Sequence, residues 1–272
     1  RDINFRRLIL FLGTWQFAIN FATPFFTVYL VRQLGYDMTV VMGLSIASQV
    51  ANALALRNWG RLADRFANKS VLLVAAPLYI LCIAAMAGGS QISDPGYRLV
   101  WLAGLHLLMG GAVAGVTLAT ANIALKLSPR GEAASYLAAS AVTTALAAGS
   151  APILGGMLAD FYAVRRLELI GRWTDPDGVF TYLSLALSNW DFYFLLSAIL
   201  GLYALHRLGR VEEAGEIGRQ EMLRHVVRET RGSIHNFSTV TGLKALTELP
   251  ANLAREIQVR QRYRRMRSAR PA

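Results

Sequence analysis

Gly60-Arg-Leu-Ala-Asp64-Arg65-Phe-Ala-Asn-Lys69 is a short run with four charges, held between two long apolar stretches, Met38–Leu56 and Val71–Ala87. A connection this brief, between segments this apolar, must turn sharply at a boundary between hydrocarbon and water. The rest of the chain has the composition such a boundary requires. Of its 272 residues 54% are hydrophobic and only 17% are charged, with mean hydropathy +0.37. Soluble domains carry about 25% charged residues, so the chain reads as a multi-span membrane protein.

Apolar segments long enough to cross a hydrocarbon core of about 30 Å are read at Leu8–Val31, Met38–Leu56, Val71–Ala87, Leu99–Leu125, Ala133–Phe161 and Trp190–Leu205. The last is short, and apolar residues also run through Val179–Leu187 ahead of it. An even number of spans puts both termini on one side. That side would hold Arg1, Arg6, Arg7, Arg57, Arg61, Arg65, Lys69, Lys126, Arg130 and the fourteen Lys or Arg of residues 207–272. The other side would hold Arg32, Arg98, Arg165, Arg166 and Arg172. The positive-inside rule therefore places both termini in the cytoplasm, with Trp101 and Trp190 at the outer interface and Trp59 at the inner one. The outer loop Tyr162–Asn189 contains the turn-forming Asp175-Pro176-Asp177-Gly178 and is expected to carry a short surface helix.

With two spans around it, the opening stretch resembles the signature loop of the major facilitator superfamily of transporters, G-x-x-x-D-[RK]-x-G-x-[RK]-[RK]. Gly60, Asp64, Arg65 and Lys69 fall on its fixed positions. Ala67 replaces the second glycine and Ser70 the last basic residue. In that family the degenerate form is usual in the second half of the protein. The resemblance thus implies an all-α integral membrane fold: a six-transmembrane-helix bundle, one half of a twelve-helix architecture, with an amphipathic basic C-terminal tail. It divides the chain into a half-transporter over residues 1–208 and a cytoplasmic tail over 209–272. The N-terminal half would be supplied covalently or by a second chain, and Arg1 in first place reads as a fragment or a processed product. The resemblance also implies that Asp64, Arg65 and Lys69 latch one conformation, while Gly60 allows close helix approach.

An internal echo fits this picture. The second span ends in Gly60-Arg-Leu-Ala-Asp64 and the fifth in Gly156-Met-Leu-Ala-Asp160, on opposite faces of the membrane. An inverted three-plus-three repeat would place them so. The stretch Gly149-Ser-Ala-Pro152-Ile-Leu-Gly155-Gly156 resembles the family's antiporter motif, with Ala151 where a glycine precedes the proline; close packing through small residues accounts for it equally.

Polar residues follow the helical period. Gln16, Asn20, Thr23 and Thr27 share one face of the first span; Ser45, Ser48, Gln49 and Asn52 share one face of the second. The fourth span carries His106, Thr117, Thr120 and Asn122, and the fifth Ser140, Thr143, Thr144 and Ser150. Polar groups in hydrocarbon need partners or water, so these four spans should face a cavity or one another, and the third and sixth should face lipid. Gln16, Asn20, Gln49, Asn52, His106, Thr117 and Thr143 are the candidate substrate-cavity residues. The serines and threonines alone would also suit ordinary helix packing, and His106 is either a titratable group or a neutral hydrogen-bonded one.

No residue is read as catalytic, and no cofactor or metal is implied. The single Cys82 rules out an intrachain disulfide and a Cys-based metal site. There is no H-E-x-x-H, no G-x-S-x-G, and no carboxylate pair within the membrane. In the tail, Leu223, Val226 and Val227, then Leu246, Leu249, Leu253 and Ile257, recur at helical spacing, and Arg255–Arg270 holds seven arginines. That pattern suits anionic lipid at the inner leaflet; nucleic acid is not expected, because no base-reading element accompanies the charge. The expected function is secondary active transport of a small solute by alternating access. The alternative is a non-transporting, transporter-like module for assembly or binding, docking through its basic tail.

Overall fold

The apolar windows fold as helices, because within hydrocarbon a helix satisfies its own backbone. The computed structural model describes residues 3–129, 131–175 and 178–238. Helix α1 runs over Ile3–Gln33, α2 over Met38–Arg65, α3 over Asn68–Met86, α4 over Pro95–Lys126, α5 over Ala133–Tyr162, α6 over Trp190–Leu208 and α7 over Arg219–Ser238. The first five are long and apolar enough to cross a membrane. The sixth, with 19 residues, carries Asp191 in its first turn and His206 and Arg207 in its last.

Local chemistry sets the boundaries. The Asp37 carboxylate accepts the Val40 N–H at 3.1 Å to start α2, and Asp94 accepts the Tyr97 N–H at 2.9 Å ahead of Pro95 to start α4. These side chains satisfy donors that a helix start leaves without an internal partner. Pro24 lies in a 3-10 turn, Thr23–Phe25, that interrupts α1, whereas Pro77 and Pro152 sit inside α3 and α5. The charged stretch is less of a loop than its composition suggests. Gly60–Arg65 belong to α2, and only Phe66 and Ala67 separate α2 from α3.

The helices pack in a pattern with internal exchange. α1 lies against α5 and α6, α4 lies against α2 and α3, and α3 lies against α6. Exchanging α1 with α4, α2 with α5 and α3 with α6 maps this set of contacts onto itself. α2 and α4 approach closely: a Cβ on Gly110 would collide with the Ser48 backbone, and one on Gly115 would stand 2.8 Å from the Trp59 ring. Trp59 also donates Nε1–H to the Gly111 carbonyl at 2.8 Å, so it is an inter-helix residue and not the interfacial ring expected.

Two further expectations change. Within this chain α3 is the most enclosed span and α2 and α5 are the least, the reverse of a lipid-facing third span. The reason is that α3 fills the space between α4 and α6, while α2 and α5 each have one main neighbour. Secondly, the fold is not all-α. Where a surface helix was expected, β1 (Arg166–Asp175) and β2 (Gly178–Ser188) pair as an antiparallel hairpin. The apolar run Val179–Leu187 is its second strand, and Asp175 pairs with Gly178 across the turn; Pro176 and Asp177 lie outside the described residues.

At the hairpin end, the α1–α6 contact is aromatic. Tyr193 stacks on Phe21 at 4.6 Å and meets Phe25 and Trp190 edge-on. Its hydroxyl donates to the Phe21 carbonyl. Trp190 is buried here, while Trp101 is exposed, so only one of the two expected outer-interface rings faces outward. The compact unit extends through Leu223, and a second begins at Arg224. Of the expected tail features, Leu223, Val226 and Val227 fall in α7, whereas Leu246, Leu249, Leu253, Ile257 and Arg255–Arg270 lie outside the described residues.

Candidate functional site: a polar cavity and a charged clamp

A cavity of about 720 Å³ lies between α1, α2, α4 and α5, with Tyr79 from α3 at its wall. Gln16, Asn20, Gln49, Asn52, His106 and Thr117 line it. Thr143 does not: its methyl group packs against Gly13 of α1, where an added Cβ would stand 2.9 Å away. The next residue, Thr144, and Ser140 line the cavity instead.

The lining separates into two chemical kinds. Four of its hydroxyls are turned back onto their own helices. Ser45 bonds the Val41 carbonyl at 2.9 Å, Thr120 the Val116 carbonyl at 2.7 Å, Ser140 the Tyr136 carbonyl at 3.1 Å and Thr144 the Ser140 carbonyl at 2.9 Å. Such bonds to the preceding turn satisfy the hydroxyl in apolar surroundings. The carboxamides of Gln16, Gln49 and Asn52 have no hydrogen-bond partner among the described residues, and Asn20 uses one N–H on the Gln16 carbonyl at 2.8 Å. His106 Nδ1 lies 2.8 Å from the Leu102 carbonyl. A carbonyl only accepts, so Nδ1 carries the proton, and in the neutral ring Nε2 is an acceptor. The cavity thus offers donors and acceptors without a formal charge.

The second site gathers at the end of the bundle where α1 begins, α2 meets α3, and α4 ends. Glu213, from the segment after α6, is buried there. Its Oε1 accepts from Asn68 Nδ2 at 3.0 Å and pairs with Lys126 Nζ at 2.9 Å; its Oε2 accepts the Lys69 N–H at 2.7 Å. Ala67, at the start of α3, supplies no side-chain cap, so Glu213 caps α3 from 144 residues away. A carboxylate also suits the positive end of the helix dipole. Burial alone would raise the Glu213 pKa, but bonds from Lys126, the Lys69 backbone and Asn68 outweigh it and hold the carboxyl below its ordinary value.

Neighbouring contacts extend this clamp. Lys69 Nζ pairs with Glu216 at 2.7 Å, Arg7 pairs with Glu212 at 3.0 Å, and Asn4 exchanges two bonds with the Glu212 backbone. Ser70, standing where the family has a basic residue, bonds the Ile217 backbone twice, at 3.2 and 2.8 Å. Of the expected latch residues, Lys69 is therefore engaged. Asp64 and Arg65 are exposed, and the Arg65 guanidinium lies over the Phe66 ring at 5.1 Å. A Cβ on Gly60 would meet nothing within 4 Å, so Gly60 permits no close approach inside this chain. The acidic partners were not anticipated. Their signal was Val211-Glu-Glu-Ala-Gly-Glu216, three acids opening an otherwise basic tail.

Among the described residues no group of His, Cys, Asp or Glu could hold a metal ion.

Comparison with known proteins bears on the whole arrangement. The structure is similar to a crystal structure of a D-xylose-proton symporter, with a TM-score of 0.55 and 17% identity. The match covers 86% of this chain and 54% of that one, so the chain spans about half the length of that protein. No curated protein sequence matches. The family model described as Major Facilitator Superfamily matches residues 9–246. Its span takes in the cavity, the Gly60–Lys69 stretch and the Glu213 centre of the clamp, and the chain is a member of the Major Facilitator Superfamily, an integral membrane protein.

Proposed function

We propose that this chain forms the C-terminal six-helix half of a secondary transporter that moves a small, uncharged polar solute by alternating access. The observation that carries the reading is the cavity, whose open carboxamides await hydrogen-bond partners while several of its hydroxyls are already satisfied. Gln16, Asn20 and Asn52 are half-buried and Gln49 is exposed in this half; once a second half encloses them, unpaired amides would be costly, so a solute with several hydroxyl or amide groups suits the lining better than an ion. Gln16, Asn20, Gln49, Asn52, His106 and Thr117 are its contacts from this half. Thr143 positions α5 against α1.

The other half would cover the two least buried spans. Met42, Ile46, Val50 and Leu54 form an exposed stripe along α2, and Val142, Leu146, Ile153 and Met157 one along α5. Both helices also wall the cavity, so a partner on these stripes would complete the site. The exchange pattern of helix contacts supports an inverted three-plus-three repeat, with α6 as the sixth span and both termini cytoplasmic.

The clamp acts as the conformational latch. It ties the ends of α1, α3 and α4 to the segment after α6 through the carboxylates of Glu212, Glu213 and Glu216, with Lys69 as its centre. The basic tail holds anionic lipid.

The test is solute uptake by the full transporter carrying Gln16→Leu with Asn52→Leu. Transport should fall at least about tenfold, the scale of two lost hydrogen bonds, with membrane expression unchanged. Undiminished flux would remove the cavity reading, and no flux from the native transporter would favour the assembly or binding module.

A further inference from the structure

The β1–β2 hairpin is a two-stranded sheet with two distinct faces. Alternate residues of a strand share a face, and the register sets Leu167 opposite Leu187 and Trp173 opposite Phe180 on one of them, with Leu169 on the same face. An irregularity between Gly171 and Arg172 admits Tyr182 as an extra residue. Its ring covers Gly171, where an added Cβ would stand 2.6 Å away, so the ring belongs to the same face. Leu167, Leu169, Trp173, Phe180 and Tyr182 are between 44% and 72% exposed. The opposite face carries Arg166, Glu168, Arg172, Thr174 and Thr181, with Ile170 and Val179 among them.

A lone hairpin is marginal in water, and this one shows water an apolar and aromatic face. What covers that face follows from where the hairpin is rooted. The Ala186 carbonyl accepts from Gln91 Nε2, at the end of the 3-10 turn that extends α3. The Ser188 N–H donates to Asp191 in the first turn of α6 at 3.0 Å. Both anchors are helix ends. At the same end of the bundle Tyr97, Val100 and Trp101, at the start of α4, and Val164, after α5, are exposed. Exposed tyrosine and tryptophan at the ends of spanning helices mark the headgroup level. The hairpin therefore leaves the bundle at the membrane interface. Its formal charge is only −1, Arg166 and Arg172 against Glu168, Asp175 and Asp177, so an electrostatic partner is not favoured.

We propose that the 166–188 hairpin is an interfacial membrane anchor. It lies along the bilayer surface with the Leu167, Leu169, Trp173, Phe180 and Tyr182 face at the boundary of headgroup and acyl chain, and its polar face in water. The occupant of the apolar face is lipid, zwitterionic included, and the anchor restrains the ends of α5 and α6. The inference rests on membrane location and not on transport, so loss of flux in cavity variants leaves it standing.

The test uses the full chain in phosphatidylcholine nanodiscs, in a Cys82→Ser background, with an environment-sensitive fluorophore on Phe180→Cys or Thr174→Cys. Doxyl-labelled lipid should quench the label at 180 at least about twofold more than the label at 174, as expected for a ring at headgroup level. Aqueous iodide should show the opposite order. Adding Trp173→Ser to the Phe180→Cys chain should restore iodide access there while the melting temperature holds. Equal iodide quenching at both positions would overturn the anchor by placing both faces in water. Shielding of position 180 from both quenchers would overturn it in favour of a protein partner.

Discussion

The two ends of the helical bundle are held together by different physics. At one end, three carboxylates meet Lys69, Lys126 and Arg7 and cap a helix that has no cap of its own. At the other, Tyr193 is wedged among Phe21, Phe25, Trp190 and Phe194. The exposed pair of Arg7 and Glu212 beside the buried Glu213 can be made and broken in water at little net cost, whereas aromatic packing is close to all-or-none. A transporter half that must loosen one end during its cycle would place the charged contacts there.

The largest effect should come from the aromatic end. Tyr193→Ala removes a fully buried ring and its hydrogen bond, at a cost of about 3–5 kcal/mol. The melting temperature of the purified protein should drop accordingly; an unchanged value would mean that the aromatic end does not hold the bundle. Glu213→Ala comes next. It strands the Asn68 and Lys69 donors but leaves Lys126, half-exposed, free to hydrate, so the loss should be roughly 2–3 kcal/mol. Amide exchange should report it first in the opening turn of α3, and uniform exchange along α3 would argue against a cap.

Acid sharpens the contrast. The Glu213 carboxyl sits below its ordinary value of 4.5, so its stabilisation is fully present above that pH and is lost as pH falls through the lower folded value. The difference in stability between the native chain and Glu213→Ala should therefore be constant near neutrality and shrink only below about pH 4.5. The gap between native and Tyr193→Ala should not follow that course. Glu212→Ala gives the smallest effect. Its pair with Arg7 is exposed on both sides, and its loss should cost under about 1 kcal/mol and vanish in high salt. A larger, salt-independent loss would show that Glu212 acts through its packing.

Much of this was legible in the residues. Six apolar segments became six helices, because the length of an apolar run and the demand for backbone hydrogen bonds leave hydrocarbon little alternative. The polar stripes of α1, α2 and α4 came to line one cavity for the same reason that they were visible: a helix repeats every 3.6 residues. Where the reading slipped, the margin was small or the partner remote. Thr143 and Thr144 differ by one step around a helix, and only the tilt of α5 against Gly13 decides which hydroxyl faces the cavity. Val179–Leu187 is too short to separate a strand from a helix by its apolar content, and pairing with β1 settled it.

What the sequence by itself determined was the membrane class, the order of the helices, and the faces that carry polar groups. Each of these depends on neighbours within a few residues. What only the tertiary structure decided was which charges meet. Lys69 and Glu213 are far apart along the chain, and a basic helix start and an acidic turn do not announce each other across four helices. Their pairing follows from where the helix ends come together in space, which is settled by the packing of α3 between α4 and α6.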